Sequence, residues 1–262
     1  MKNNASTNGN LYEATAGYYD LDNRDIIKDD LSFYLQYAQR TAGPILELAS
    51  GTGRVSLFLA EQTQRLVDCV ELSETMLAQF EKKLRTSHKY LKDLITLHRR
   101  DMADFQFTRT YDYVLIPWRA LQWLPEESQA ISCLRCVKAH LSPGGIFIMD
   151  IFKPRQYDES WLGVESVSYD VTSGDERITR STINQFFDNE KKYIQYLSRY
   201  RIQRGDEETT VEDLMTVKYY EREDMRAILE GLGFRVLEEF GYYDKRSIDD
   251  GEDMIFVCAH RR

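Results

Sequence analysis

The stretch Pro44-Ile-Leu-Glu-Leu-Ala-Ser-Gly-Thr-Gly-Arg54 decides the fold class. It opens with an apolar run typical of a buried strand and ends in two glycines, Gly51 and Gly53, one residue apart. Residues 54–64 then place apolar side chains at helical spacing. Glycine lets the backbone turn sharply and leaves no Cβ in the way of a ligand. The stretch therefore predicts a strand, a turn that can lie against a cofactor, and a helix N-terminus that favours a carboxylate or phosphate.

Strands and helices alternate along the rest of the chain. Further strands are predicted at 66–72, 94–100, 111–118, 146–152, 234–242 and 253–260, helices at 73–85, 126–141 and 221–232, and a turn at 142–145. Ser73 is the expected N-cap of the helix that follows it. Such alternation implies a parallel sheet covered on both faces. The expected fold class is α/β, a Rossmann-like, seven-stranded and mostly parallel sheet with helices on both faces.

The region between residues 164 and 220 differs in pattern. It has long period-two stretches separated by turn-like segments around Gly174, Asn189 and Gly205. This pattern predicts an antiparallel meander inserted into the α/β domain. We expect a polar tail and helical flap over 1–40, the α/β domain over 41–152 and 221–262, and the inserted β subdomain over 153–220. The insertion can act as a lid over the acceptor or as a dimerisation surface, and the sequence leaves both open.

Acidic residues stand where two further strands end. Glu71 follows the second strand, 20 residues after Gly51, and a carboxylate there can accept hydrogen bonds from both hydroxyls of a ribose. Asp101 and Met102 follow the third strand, where an acid can accept from an adenine amino group while the methionine packs on the ring. Ligands of open α/β sheets bind outside the carboxyl ends of the strands. The strand ends therefore predict a site for either a dinucleotide or an adenosyl group.

These motifs occur in one ordered series. The series is Glu47-x-x-x-Gly51-x-Gly53, Glu71, Asp101-Met102, Tyr111-Asp-Tyr-Val-Leu-Ile116 and Leu141-x-Pro143-Gly144-Gly145. It resembles the class I family of S-adenosylmethionine (SAM)-dependent methyltransferases over about residues 40 to 152. The N-terminal Tyr18-Tyr19-Asp20 and the meander resemble the small-molecule N- and O-methyltransferases of that family. Ala49 and Ser50 depart from the commoner motif, but both are small, so the loop is expected to survive.

The resemblance implies roles for the matching positions. Glu47 and the 49–53 loop would hold the methionine part of SAM, Glu71 the ribose, and Asp101 with Met102 the adenine. Tyr12, Tyr18 and Tyr19 form a flap over the cofactor or simply pack on a helix. The expected cofactor-binding residues are Tyr19, Glu47, Ala49, Ser50, Gly51, Thr52, Gly53, Glu71, Leu72, Met76, Asp101, Met102, Ala103 and Pro117.

The methyl acceptor is expected beside the fourth strand. Trp118, Arg119 and Trp123 follow that strand, and aromatic faces there suit a cationic or apolar acceptor, while an arginine suits a carboxylate or phosphate. Interior packing of the two tryptophans is the competing interpretation. No catalytic base is assigned, because the four histidines fall in structural contexts. Asp150, at the end of the fifth strand, either faces the site or caps the strand.

Composition limits the partners. The formal net charge is −9, whereas proteins that grip nucleic acid usually carry a basic surface. No apolar run approaches the roughly 18 residues of a membrane span, and residues 1–10 lack the apolar core of a signal peptide. Cys133 and Cys136 lack further ligands for zinc, so no metal is expected. A cytoplasmic protein with a small-molecule acceptor is expected, and a homodimer is possible.

Three other functions compete with small-molecule methylation. An NAD(P)-dependent oxidoreductase needs Gly-x-Gly-x-x-Gly, and Ser56 occupies the third position. A non-catalytic SAM-binding module would bind the cofactor without methylating any acceptor. An RNA or protein methyltransferase is the third, and its RNA version fits the acidic charge poorly.

Overall fold

The computed structural model describes residues 12–22 and 29–260. The strands are β1 (Ile45–Leu48), β2 (Val67–Glu71), β3 (Ile95–Arg99), β4 (Tyr111–Ile116), β5 (Leu141–Phe152), β6 (Glu165–Ser173), β7 (Glu176–Asp188), β8 (Tyr193–Arg204), β9 (Glu207–Lys218), β10 (Phe234–Phe240) and β11 (Asp253–His260). The α-helices are α1 (Asp29–Ala38), α2 (Arg54–Thr63), α3 (Glu74–Arg85), α4 (Glu127–His140) and α5 (Arg222–Gly231). The polar tail expected at residues 1–10 lies outside the described residues.

Seven strands form the central sheet, in the order β10-β11-β5-β4-β1-β2-β3. Neighbouring strands from β3 to β5 pair in parallel, and β11 runs antiparallel to both β5 and β10. β1 lies at the centre, where Ile45 is in register with Val67 of β2 and Tyr113 of β4. The predicted α/β class with a mostly parallel seven-stranded sheet is confirmed.

Two apolar clusters cover the two faces of this sheet. Leu46 and Leu48 of β1 belong to the cluster that also contains buried residues of α4 and α5. Ile45 belongs to the other cluster, with buried residues of α1 and α2. Alternate side chains of one strand point to opposite faces, so a strand buried on both sides reads as a continuous apolar run. This is why Ile45, Leu46 and Leu48 are all apolar, and the one polar residue of β1, Glu47, is buried as well.

Helix α1 belongs to the body of the protein. Phe33, Tyr34 and Tyr37 have no exposed surface and pack in the same cluster as Ile45. The expected division placed residues up to 40 in a tail and flap. In the structure, α1 covers the sheet because its aromatic residues share one helix face. Two of its side chains also bond to residues of the site, since Asp30 accepts from Arg54 and Tyr34 donates to Asp150.

The turn predicted at residues 142–145 lies inside β5. Tyr111 of β4 is opposite Leu141, whereas Tyr113 is opposite Ile146, so four residues bulge between two pairs. Gly144 has a φ of +84°, and the Ser142 hydroxyl donates to Asp112 at 2.6 Å. The observed strand therefore begins at Leu141, five residues before the strand predicted at 146–152, because β5 pairs with β4 on both sides of the bulge.

The inserted meander forms a second sheet in the order β6-β7-β8-β9, with each neighbouring pair antiparallel. Its first and third hairpin turns contain Gly174 and Gly205, with φ of +63° and +58°. Tight hairpins require this left-handed backbone, which glycine adopts without a steric penalty. Turn-like residues at these positions are the reason the meander was predicted from sequence.

One buried side chain holds both ends of the insertion. Gln122, which has no exposed surface, lies in the short 3-10 helix Ala120–Trp123 after β4. Its amide oxygen accepts from the backbone nitrogen of Phe152 at 2.7 Å, and its amide nitrogen donates to the carbonyl of Lys218 at 3.0 Å. The chain thus leaves the central sheet and returns to it at the same amide group.

Candidate active site

A glycine loop follows β1 at the centre of the sheet, where neighbouring connections turn to opposite faces. Ala49, Gly51 and Gly53 have φ of +54°, +56° and +85°. The loop is closed by hydrogen bonds from Ser50 N to the Val70 carbonyl (3.1 Å) and from Gly53 N to the Ser50 carbonyl (2.9 Å). In open α/β sheets a ligand binds at such a switch point.

The two glycines differ in their surroundings. A Cβ added to Gly53 would lie 2.3 Å from the ring of Phe80, so this glycine lets α3 pack against the loop. A Cβ on Gly51 would have no atom within 4 Å. Gly51 therefore borders open space at the strand ends, which is the arrangement needed where a ligand approaches the main chain.

Glu71 is fixed beside this loop. Its Oε2 accepts from Gly51 N and its Oε1 accepts from Ser73 N, both at 2.8 Å. Burial raises the pKa of Glu71, and the backbone donors oppose that rise. Each carboxylate oxygen has a further lone pair, so this side chain can still accept hydrogen bonds from a ligand. Leu72, which follows it, is 40% exposed and provides an apolar surface.

The residues expected around adenine lie at the next strand end. Asp101 accepts from Ala103 N at 2.8 Å, which holds the turn after β3. Met102 is buried in the cluster that also contains Val70. Met76 is buried as well, and its backbone nitrogen donates to Ser73 Oγ at 3.2 Å, which makes Ser73 the N-cap of α3 as predicted.

Glu47 lies below the loop. It is buried, and its carboxyl accepts a hydrogen bond from the hydroxyl of Ser56. Burial raises the pKa of Glu47 to about 8, against the weaker opposing effect of that hydrogen bond. The sequence expectation had Glu47 holding the methionine part of SAM. In this structure its carboxyl bonds to Ser56, which stands where a dinucleotide fold has its third glycine.

Glu47→Gln should change how stability depends on pH. Because the pKa of Glu47 is raised from 4.5 to about 8, the folded protein keeps a proton that the unfolded chain loses in this window. The stability of the wild type therefore falls as pH rises from about 4.5 to 8. Denaturant unfolding at pH 5 to 8 should show the variant gaining about 1.4 kcal/mol per pH unit over the wild type. Glu61→Gln, at an exposed position of α2, is the control and should show the pH dependence of the wild type. If the stability of Glu47→Gln also follows the wild type from pH 5 to 8, the raised pKa of Glu47 is contradicted.

A cavity of about 760 Å³ opens between the strand ends and the meander. Of the residues expected in the site, Tyr12, Tyr19, Trp118, Arg119 and Trp123 line it. The 49–53 loop, Glu71 and Asp101 do not line it and lie along the neighbouring strand ends. The expected acceptor residues therefore come together in one cavity. Of the expected cofactor residues, Tyr19 lines this cavity as well, whereas the 49–53 loop, Glu71 and Asp101 lie beside it.

Asp150 holds one wall of the cavity. Trp118 and Arg119 both have left-handed backbone, with φ of +58° and +62°. Consecutive left-handed residues other than glycine are strained and persist only where other contacts hold them. The buried Asp150 carboxylate supplies these contacts, because it accepts from Trp118 N (3.0 Å) and Arg119 N (2.8 Å). Tyr34 also donates to it, so Asp150 positions this wall.

Two arginines of this wall are paired with buried carboxylates. Arg54 makes two hydrogen bonds to Asp30, at 2.7 and 2.6 Å, and its guanidinium lies 5.2 Å from the centre of the Trp118 ring. Arg119 pairs with Asp253 at 2.7 Å. Burial raises the pKa of Asp253 to about 6, although the Arg119 cation opposes the rise. Both guanidinium groups are thus held by the protein itself.

The segment at residues 12–22 joins the two halves of the site. Asp20 accepts from the hydroxyl of Thr52 at 2.6 Å and pairs with Lys83 at 2.7 Å, which ties the segment to the glycine loop. On the other side, Tyr18 packs on Tyr200 of β8, with ring centres 5.6 Å apart. The segment thus bridges the glycine loop and β8, and a role as a flap over the cofactor stays a prediction.

The meander contributes residues that the sequence analysis missed. Arg180 and Thr182 of β7 and Tyr196 and Tyr200 of β8 line the cavity. They occupy alternate positions of their strands, on the same face. Arg180 alternates with Ile178 and Thr182 on this face, and a charged residue among them could have indicated a binding role. Which face of the strand meets the site, however, depends on how the insertion packs.

The four histidines have hydrogen-bond partners within the protein, and one of them, His88, lines the cavity. His140 is held between the carbonyl of Cys136 and the backbone nitrogen of Phe107, and His98 pairs with Asp68. Within residues 12–22 and 29–260, no group of three His, Cys, Asp or Glu is arranged to hold a metal ion. The same part of the chain has no helix long and apolar enough to cross a membrane.

Known proteins resemble this chain in sequence. Residues 45–145 match the methyltransferase domain family. The chain is 30% identical over 125 residues to the cypemycin N-terminal methyltransferase of Streptomyces sp, covering 48% of each protein. It is 27% identical over 132 residues to the dTDP-3-amino-3,4,6-trideoxy-alpha-D-glucopyranose N,N-dimethyltransferase of Streptomyces venezuelae, covering 49% of this chain and 51% of that one. The chain spans about half the length of these curated relatives.

Solved structures resemble it over nearly the whole chain. The CcbJ methyltransferase from Streptomyces caelestis superposes with a TM-score of 0.79 at 20% identity, covering 97% of this chain and 98% of that one. An S-adenosylmethionine-dependent methyltransferase from Clostridium acetobutylicum gives 0.76 at 18% identity, covering 94% and 95%. The resemblance predicted from the ordered motifs is therefore confirmed, and the insertion belongs to the shared fold.

Proposed function

We propose that this chain, which contains a methyltransferase domain of the class I SAM-dependent fold, transfers a methyl group from SAM to a nitrogen or oxygen atom of a small-molecule acceptor. The observation that carries the proposal is the contact between Gly51 N and the Glu71 carboxylate, 2.8 Å long, at the ends of two central strands. It holds a carboxylate suited to a ribose beside main chain that no side chain covers.

The residues present fit SAM. The open space at Gly51 is a cradle that a larger side chain would fill. Glu71 would accept from the ribose hydroxyls, and Leu72 with Met102 and Asp101 would border the adenine. The 49–53 loop would hold the methionine part, with Tyr19 and Pro117 at its sides.

The protein's task in this reaction is alignment and the exclusion of water. SAM supplies a positively charged sulfonium whose methyl group is electrophilic, so the products are S-adenosylhomocysteine and the methylated acceptor. Trp118 and Arg119 would border the acceptor, and the segment at 12–22 would cover the reacting groups. Positioning of this kind can contribute about 7 kcal/mol or more to the rate. No base in the described cavity is assigned to take the acceptor's proton.

Several features favour a small acceptor over a macromolecule. The cavity is bounded by the meander and by the segment at residues 12–22, and its volume of about 760 Å³ is within the range of small-molecule sites. The acidic net charge disfavours RNA. One of the relatives named above is, by its name, a dTDP-amino-sugar N,N-dimethyltransferase. A cytoplasmic location and a homodimer stay predictions.

Calorimetric titration with SAM, S-adenosylhomocysteine and NAD tests the proposal. We expect saturable binding of both adenosyl compounds and none of NAD. Binding of NAD instead would favour the oxidoreductase, which Ser56 argues against because its hydroxyl is buried against Glu47. Binding of SAM with no product from a broad screen of amines and alcohols would indicate a non-catalytic module.

A further inference from the structure

Arg180 extends from the meander into the cavity. It lies on β7 opposite Tyr200 of β8, and both side chains line the cavity together with Tyr196. The guanidinium is half-buried among these aromatic residues. An arginine in such surroundings loses much of its hydration, which costs free energy unless a partner replaces the water.

Three other cations that line the cavity have carboxylate partners. Arg54 pairs with Asp30, Lys83 with Asp20 and Arg119 with Asp253. Arg180 differs from them. Over the residues that the structure describes, its guanidinium donates to the hydroxyl of Ser168 at 2.9 Å and to that of Tyr200, and it forms no ion pair with a carboxylate. Buried charges are usually paired. Lys153 and Arg155 also line the cavity without a carboxylate partner among the described residues, but Arg155 is exposed and the Lys153 amine donates to the carbonyls of Ile248 and Asp249.

Ring stacking does not account for Arg180 either. Arg54 lies over the Trp118 ring, and Arg40 lies over Tyr37 at 4.2 Å. In the described part of the chain, Arg180 lies over no aromatic ring in this way. Its forked donors, which match carboxylate and phosphate geometry, therefore have capacity left for a ligand.

We propose that Arg180 binds an anionic group, a phosphate or a carboxylate, on the methyl acceptor. The inference rests on the proposed function, because it assigns the class of molecule that occupies the acceptor cavity. The hydroxyl groups of Tyr196 and Tyr200 line the same space and can donate to the same anion. The acceptor is then an acidic small molecule, although the protein carries a net charge of −9.

Intrinsic fluorescence gives a direct test. The chain has three tryptophans, Trp118, Trp123 and Trp161, and all of them line this cavity. Inorganic phosphate and acetate are titrated into the protein saturated with S-adenosylhomocysteine, with chloride replacing them at equal ionic strength. We expect a saturable change with at least one of the two anions and none with chloride. The two arms distinguish a phosphate from a carboxylate group.

Arg180→Gln should raise the dissociation constant of that anion at least tenfold. Arg177→Gln is the matched control, because Arg177 lies on the same strand, pairs with Asp170 and does not line the cavity. It should leave anion binding unchanged. If Arg180→Gln fails to fold, Arg180→Lys carries the test, since a single ammonium should bind the anion more weakly than the forked guanidinium. Wild-type affinity in the folded Arg180 variant would overturn the inference.

The failure of this inference is distinguishable from the failure of the proposed function. Calorimetric binding of S-adenosylhomocysteine is measured for the wild type and both variants. No binding to the wild type would overturn the proposed function and this inference with it. Normal binding of S-adenosylhomocysteine without any specific anion effect would overturn only the role of Arg180.

Discussion

Replacing Glu71 with alanine should remove measurable binding of SAM while the protein stays folded. The variant loses the two oxygens that would accept from the ribose hydroxyls, and hydrogen bonds to a charged group are worth about 1.5–3 kcal/mol each. Two such bonds correspond to a loss of affinity of at least about 100-fold. Glu71 also orients Gly51 N, so the glycine loop becomes less ordered and adds to the loss. Calorimetric titration of both proteins with SAM measures the effect.

Glu74→Ala is the control for this variant. Glu74 lies three residues further along the chain, is largely exposed and pairs with Arg99 on the surface. Its replacement should leave SAM binding unchanged, because exposed ion pairs contribute little. Denaturant unfolding of both variants separates a loss of binding from a loss of fold. Wild-type affinity in Glu71→Ala would exclude the ribose assignment.

The largest effect on stability is expected from Gly53→Ala. The added Cβ would lie 2.3 Å from the Phe80 ring, and the residue would also have to keep a φ of +85°. Forced overpacking costs about 1–3 kcal/mol, and left-handed backbone costs a residue with a Cβ about 1–2 kcal/mol more. We expect a loss of about 3 kcal/mol in the free energy of unfolding, measured by denaturant titration.

Gly51→Ala separates the two roles of the loop. Gly51 also has positive φ, but a Cβ there meets nothing within 4 Å, so only the backbone penalty applies. This variant should lose about 1 kcal/mol of stability. It should nevertheless bind SAM much more weakly, because the methyl group occupies the open space beside Glu71. Equal destabilisation of the two variants would contradict the packing role of Gly53.

Local signals in the sequence account for the central sheet and the glycine loop. The apolar run before Gly51, the cap at Ser73 and the glycines of the hairpins act within a few residues of their own positions. The strand, the helix start and the hairpins that they specify can therefore be predicted from short stretches of sequence. The bulge within β5 depends on pairing with β4, and the packing of α1 depends on the face of the sheet that it meets. Neither is encoded within one segment.

The cavity was harder to predict for the same reason. Trp118 and Arg119 were expected beside the acceptor, but the carboxylate that holds their backbone, Asp150, had two open interpretations. Arg180 belongs to a strand whose alternation left both faces possible, and only the packing of the meander selects one. Residues whose roles come from distant contacts carry no local signature.

The attachment of the meander at Gln122 has a consequence for how this scaffold can diversify. The outgoing and returning chains of the insertion meet at one buried amide, and the insertion also contacts the segment at residues 12–22. Residues 153–218 can therefore be replaced as a unit only if these contacts are kept. We expect a chimera that keeps Gln122 and the segment at 12–22 to change acceptor preference while SAM binding is retained.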